Sequence, residues 1–299
     1  MKQEKLDSPL FQIWMREHKH IADSTIYVYK IAVEAFLKTN PDLSNLEDYN
    51  NYLIKTTIRK RAAYNFSAIK AFIEFKYQGN LTARNKIIDG LIKPPIRHDL
   101  KRERKNLSKQ KILDVVNLLT KKHRLIALTQ YITGLRASDV LGVKRGSIVL
   151  EEYEGEEILK IVALGKGKKR NVVYVHDKTL KNLILDYITK YHNHDDYYFL
   201  EAGAMRGRPG NMENEYALKK SNYLRYWKDL KYALNVNGID KEDFATHDFR
   251  RCFARKVWEK EKDVYVLQSL LNHTDPKVTL RYLDQSGLKN IDYHKKMQS

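Results

Sequence analysis

Two adjacent prolines, Pro94-Pro95, lie inside the stretch KPPIRHDLKRERK (93–105), and no continuous helix can run through them. Their rings remove backbone donors and clash with the preceding turn, so the chain there is extended. With 299 residues, the chain is long enough for about two domains, each burying its own core. The prolines therefore predict a helical domain over 1–92, a basic linker over 93–106 and a larger domain over 107–299. In the linker, Lys93, Arg97, Lys101, Arg102, Arg104 and Lys105 face only Asp99 and Glu103. An extended basic strap suits a protein that closes around a duplex, because each phosphate contact releases counterions. An ordinary solvated linker has the same composition.

The charge balance extends this theme to the whole chain: 55 Lys+Arg against 37 Asp+Glu give a formal net charge of +18. Such an excess favours a polyanionic partner, nucleic acid first and an anionic membrane surface second. The start, MKQEKLDSPL, lacks the apolar core of a signal peptide, and no stretch approaches the roughly 18 apolar residues of a membrane span. Cys252 is the only cysteine, so an intrachain disulfide and a cysteine-based zinc site are excluded. These features predict a cytoplasmic, DNA-associated protein without a membrane anchor.

Residues from about 8 to 92 read as short amphipathic helices. The clearest carries Phe66, Ile69, Phe72 and Ile73 at helical spacing and stops at Gly79-Asn80. Arg59-Lys60-Arg61 precedes it, either as a DNA contact or as a solvated charged face. From Leu107 the pattern is again helical, with one interruption. Residues 157–164 (EILKIVAL) and 170–176 (RNVVYVH) are β-prone and flank Gly165-Lys166-Gly167. A hairpin with a lysine at its tip is expected there. The fold class is then mainly α with a small β-hairpin or sheet (α+β).

Four separated segments hold the distinctive chemistry. In Tyr131-Ile-Thr-Gly-Leu-Arg-Ala-Ser-Asp-Val-Leu141, a helix ends at Thr133-Gly134 and Arg136 opens another, with Asp139 three residues on. That spacing sets carboxylate beside guanidinium, as it also would in a plain surface pair. Lys166 can reach a phosphate or donate a proton, but its neighbours Lys168, Lys169 and Arg170 fit generic phosphate binding equally. In Thr246-His247-Asp248-Phe249-Arg250-Arg251, His247 and Arg250 share one helical face. Arginine cannot ligate a metal, whereas its planar fork of donors suits phosphate, and histidine moves protons near neutral pH. The fourth segment, LLNHTDPKVTLRYL (270–283), ends one helix at Asn272 and begins another near Pro276. It carries Tyr282 nine residues after His273. By composition alone Tyr282 is one of 20 tyrosines and reads as packing. His192 and His194 read as part of a polar turn, not as metal ligands.

In this order and spacing, the segments resemble the tyrosine recombinase family, which includes Xer recombinases and phage integrases. GLRASD is similar to its first-arginine motif, GKG to its hairpin lysine, HDFR to its HxxR box and LLNHTDPKVTLRY to its LGH…Y ending. The resemblance covers roughly 107–285, the catalytic domain; residues 1–92 fit the family's core-binding domain by position and character. Two departures stand out: Asn272 where glycine is usual, and Arg251 where histidine often follows the box arginine. The acidic EEYEGEE (151–157) also lengthens the stretch between Arg136 and Lys166.

The resemblance implies that Tyr282 attacks a DNA phosphate, forming a 3′-phosphotyrosyl link and releasing a 5′-hydroxyl. It implies Arg136 and Arg250 as clamps on the phosphate, Lys166 as general acid and His247 as the group moving the proton of Tyr282. His273 would donate to a phosphate oxygen, and Asp139 would hold Arg136. The DNA-binding set would be Arg59, Lys60, Arg61, Lys101, Arg102, Arg104, Lys105, Lys168, Lys169 and Arg170. No metal, nucleotide or other cofactor is implied, and the partners would be duplex DNA with specific recombination sites and a homo-tetramer. The tail 284–299 could pack on a neighbouring protomer or cap its own domain. Rival readings are a type IB topoisomerase and a non-catalytic DNA-binding relative. A basic nuclease would need clustered carboxylates for a two-metal site.

Overall fold

The computed structural model describes residues 6–56, 62–93, 105–165, 169–191, 195–196, 198–200 and 212–284. The chain divides into two compact units, Met1–Leu100 and Lys101–Ser299.

The first unit contains α1 (Ser8–Lys19), α2 (Asp23–Leu37), α3 (Leu46–Thr56), α4 (Ala62–Lys76) and α5 (Leu81–Asp89). The Asp7 side chain caps α1 by accepting from the backbone of Leu10, and the Asn80 side chain caps α5 by accepting from Ala83. Apolar residues at helical spacing meet in one core that includes Phe11, Met15, Val33, Phe36, Tyr49, Leu53, Ile69, Phe72 and Ile73. Phe36 stacks on Tyr49 at 4.9 Å between ring centroids. The tyrosines in this core keep their hydroxyls satisfied: Tyr49 and Tyr77 both donate to the Leu43 carbonyl, at 3.0 and 2.6 Å.

The second unit begins with α6 (Lys109–Asn117), α7 (Lys121–Thr133) and α8 (Ala137–Leu141). The strands β1 (Ile148–Tyr153), β2 (Glu156–Leu164) and β3 (Arg170–Val175) come next. The unit continues with α9 (Lys178–Tyr191), α10 (Met212–Val236), α11 (Thr246–Glu261), α12 (Val264–Leu270) and α13 (Pro276–Asp284). Its centre is α7, buried along nearly its whole length between Leu125 and Thr133 and packed against α11. Asp229 on α10 receives the Thr120 backbone N–H at 3.0 Å and pairs with His123 at 2.7 Å, fastening α10 to the start of α7. Among the described residues, no helix is long and apolar enough to cross a membrane.

The fold is mainly helical with a small antiparallel sheet, as expected, and the sheet has three strands in the order β1-β2-β3. β2 and β3 form the expected hairpin, with Leu164 opposite Arg170 and the Gly165 N–H donating to the Lys169 carbonyl at 2.8 Å. β1 was not anticipated. The acidic EEYEGEE is the end of β1, a turn and the start of β2. Tyr153 pairs with Glu156 across Glu154 (φ 52°) and Gly155 (φ 77°). Two central residues with positive φ make the turn whose twist matches a hairpin. The alternation that would mark β1 is hidden because its outer positions stay exposed while Ile148 alone is buried.

Candidate active site

Four chain segments converge at one end of the second unit. α7 ends at Gly134, whose φ of 73° is the left-handed cap conformation that glycine adopts without strain. A side chain could not replace its hydrogen easily, since a Cβ would lie 2.5 Å from Phe253 Cδ1 on α11. The turn delivers Arg136 to the start of α8, where it lies 3.7 Å from the carboxylate of Asp139, a buried residue. Asp139 also accepts from the Ser138 hydroxyl at 3.2 Å, and its other oxygen has no hydrogen-bond partner among the described residues. The expected Arg136–Asp139 pairing is thus present.

Arg250 sits in the first turns of α11 and is fully buried. Its Nη1 donates to the Gly134 carbonyl, while Nη2 donates to the Leu271 carbonyl at 2.6 Å and lies 3.0 Å from His273 Nε2. One guanidinium therefore ties together the ends of α7 and α12 and the histidine turn. Its Nε has no hydrogen-bond partner among the described residues. Burial and the nearby Arg136 charge lower the pKa of Arg250, against the opposing influence of Tyr282 and Asp139. A buried cation with an unused donor is a receptor for an anion.

The histidine turn follows α12. Asn272 has φ 49°, the left-handed position after a helix end, which asparagine tolerates better than most residues. This accounts for asparagine at the place where glycine is usual. Its side chain also donates to the Arg170 carbonyl at 3.3 Å, joining the turn to β3. The backbone of His273 is fixed on both sides by Gln268, through 3.1 and 3.0 Å hydrogen bonds. His273 Nδ1 lies 2.9 Å from the Thr279 hydroxyl.

Tyr282 stands on α13, and its hydroxyl is 2.6 Å from His247 Nε2. The Tyr282 ring centroid lies 5.8 Å from that of His247 and 5.4 Å from that of His273. His247 and His273 are both pushed down to about 4, first by burial and then by Arg250 and Arg136. His247 has an edge open to solvent, which screens the arginine charges; His273 is only 8% exposed and feels them more fully. The lowered pKa favours the neutral ring, in which His247 Nε2 can offer a lone pair to the tyrosine proton.

Arg251 also differs from the pattern and is buried. It pairs with Asp248 at 3.1 Å, and Asp248 in turn accepts from the Ala245 backbone at 2.6 Å, capping α11. Arg251 reaches the Lys105 carbonyl at 3.4 Å, while the Lys105 side chain pairs with Asp243 at 2.8 Å. Lys105 is thereby fixed beside α11, and Lys169 and Arg170 border the hairpin turn, both exposed. Arg59, Lys60, Arg61, Lys101, Arg102, Arg104, Lys166 and Lys168 lie outside the described residues, as do His192, His194 and 285–299. The described residues hold no group of three or more His, Cys, Asp or Glu side chains placed to bind a metal. Sequence reasoning had passed over Thr279. Its one signal is that it shares a helical face with Tyr282, three residues on.

The family model described as "Phage integrase family" matches residues 105–287. Tyrosine recombinase XerD of Rickettsia bellii is 24% identical over 285 residues, covering 88% of this chain and 87% of the relative. The fold matches XerH site-specific recombinase, solved in a post-cleavage complex with a palindromic difH substrate. That match has TM-score 0.66 and 15% identity, over 99% of this chain and 86% of that one. It also matches a lambda integrase tetramer bound to a Holliday junction, with TM-score 0.62 and 16% identity, over 90% and 76% of the two chains. Since the family match spans more than half of its length, the chain belongs to the phage integrase family and is a tyrosine recombinase, an enzyme of site-specific recombination.

Proposed function

We propose that Tyr282 is the nucleophile of DNA strand exchange in this enzyme, and that Arg136, Arg250, His247, His273 and Lys166 serve one scissile phosphate. The observation that carries the reading is the 2.6 Å contact between the Tyr282 hydroxyl and His247 Nε2, beside the buried Arg250. His247 takes the phenolic proton as the tyrosine oxygen attacks phosphorus. The bond to the 5′-oxygen breaks, Lys166 supplies that oxygen with a proton, and the phosphate stays bonded to Tyr282. Negative charge gathers on the non-bridging oxygens, where Arg136 and Arg250 offer forked donors and His273 a further one. Asp139 acts on Arg136 and does not touch DNA. The chemistry needs no metal or nucleotide, because bond energy is conserved in the phosphotyrosyl link.

In this proposal residues 1–92 form a core-binding domain and 93–106 a basic linker, and both embrace duplex DNA at a specific site. Arg59, Lys60, Arg61, Lys101, Arg102, Arg104, Lys105, Lys168, Lys169 and Arg170 would neutralise backbone phosphates. Exchange between two duplexes needs four such sites, so the working form is a tetramer on DNA, in the cytoplasm; the lambda integrase tetramer supports that state. Type IB relaxation is disfavoured by the recombinases among its relatives. The test is incubation with nicked, mixed-sequence duplexes, followed by denaturing gels. A covalent protein–DNA adduct is expected with the wild type and none with Tyr282→Phe. An adduct that persists in the variant moves the nucleophile elsewhere.

A further inference from the structure

The two ring nitrogens of His273 face partners of different chemistry. Arg250 Nη2, 3.0 Å from Nε2, can only donate, so Nε2 accepts and the ring proton sits on Nδ1. Nδ1 then donates to the Thr279 hydroxyl at 2.9 Å. In this tautomer Nε2 has no hydrogen to offer a phosphate oxygen, which is the task that strand cleavage sets it. Charging the ring is opposed by its burial and by Arg250 and Arg136. The contacts at the two nitrogens offer a route that keeps the ring neutral: the proton shifts from Nδ1 to Nε2 and leaves Nδ1 an acceptor.

A hydroxyl suits that exchange. It has one proton and two lone pairs, so rotation about its C–O bond turns it from acceptor to donor without moving a heavy atom. A carboxylate or carbonyl in its place would accept only and hold the first tautomer. Thr279 is fully buried, and it is one turn before Tyr282 on the same face of α13. Docking the helix that presents the nucleophile therefore also presents the hydroxyl.

Resting on the phosphotyrosyl reading above, we propose that Thr279 is a positioning residue that lets His273 exchange ring tautomers as the scissile phosphate arrives. The phosphate draws the Arg250 donor away from Nε2. One proton leaves Nδ1 for solvent and one is taken up at Nε2, so the charge of the ring is unchanged. The Thr279 hydroxyl reverses to donate to Nδ1, and Nε2–H points at the phosphate oxygen.

Full-length wild type, Thr279→Ser and Thr279→Val decide the matter. Nitrogen-15 NMR of histidine-labelled wild type, without DNA, should show His273 protonated on Nδ1. On the nicked duplex pool at saturation, valine should slow adduct formation by about tenfold or more while serine stays within about threefold of wild type. DNA affinity should be unchanged in both, which separates a cleavage effect from a binding one. A ring protonated on Nε2 in a wild type that cleaves would overturn this proposal alone. Wild-type rates with valine, or serine as slow as valine, would overturn it as well. Should valine fail to fold, the serine rate and the wild-type tautomer still decide. A wild type that forms no adduct removes the phosphotyrosyl reading itself.

Discussion

Replacing Gly134 with alanine tests whether the turn before Arg136 is built as described. Two penalties add. The φ of 73° is left-handed, which costs a residue with a Cβ about 1–2 kcal/mol. The new methyl would also lie 2.5 Å from Phe253 Cδ1 and 2.7 Å from Cε1. Forcing an extra carbon into packed surroundings costs about 1–3 kcal/mol. The expected loss is therefore about 2–5 kcal/mol in the second unit. Urea unfolding followed by tryptophan fluorescence can isolate that unit. Of the three tryptophans, Trp14 belongs to the first unit and Trp227 and Trp258 to the second, so a Trp14→Phe background reports on the second alone. Combining Gly134→Ala with Phe253→Leu should recover the steric share, a coupling of about 1–2 kcal/mol, and leave the backbone share in place. A loss under about 1 kcal/mol would refute both the left-handed cap and the close approach, and no coupling with Phe253 would refute the close approach. The Gly134 carbonyl accepts from Arg250, so the same substitution should also slow adduct formation.

Two further outcomes follow from the histidine turn. The folded pKa of His273 is about 4 against an ordinary 6.5, so between those values the unfolded chain binds more protons and stability falls as pH drops. The His273 share of the loss, complete below about pH 4, amounts to about 3 kcal/mol and should separate the wild-type profile from that of His273→Asn, which keeps only the His247 share; parallel pH profiles in the two proteins would contradict the assigned burial. At Asn272 (φ 49°), Asn272→Gly should unfold within about 1 kcal/mol of wild type, whereas Asn272→Val should cost about 1–3 kcal/mol. Equal midpoints for glycine and valine in urea would show that the left-handed conformation is not retained.

Much of the site was legible before folding because its residues stand at helical intervals inside short segments. Arg136 with Asp139, and His247 with Arg250, are each three apart, and a helix places such pairs on one face whatever surrounds it. The hairpin at Gly165 was legible from β-prone runs on either side of glycines. β1 was not, because its acidic end lacks the alternation that marks a half-buried strand; β2 pairing and a positive-φ turn define it. Nor did composition distinguish Arg251, which reads as surface charge until Asp248 and the Lys105 carbonyl enclose it.

The sequence by itself determined which groups meet: two arginines, two histidines and Tyr282, in an order that chain spacing alone makes specific. Only the tertiary structure decided what state they are in. Burial against α7 and α12 turns Arg250 from an exposed clamp into a fully enclosed one bound to backbone carbonyls. That enclosure, with Arg136 close by, lowers the pKa of the buried His273, and the same arginine charges act on His247 across an edge open to solvent. Desolvation and the fields of neighbouring charges depend on distances between segments far apart in the chain, and no local pattern carries that information. Tyr282 is one tyrosine of 20 in the chain; the fold sets its hydroxyl 2.6 Å from a ring nitrogen of His247.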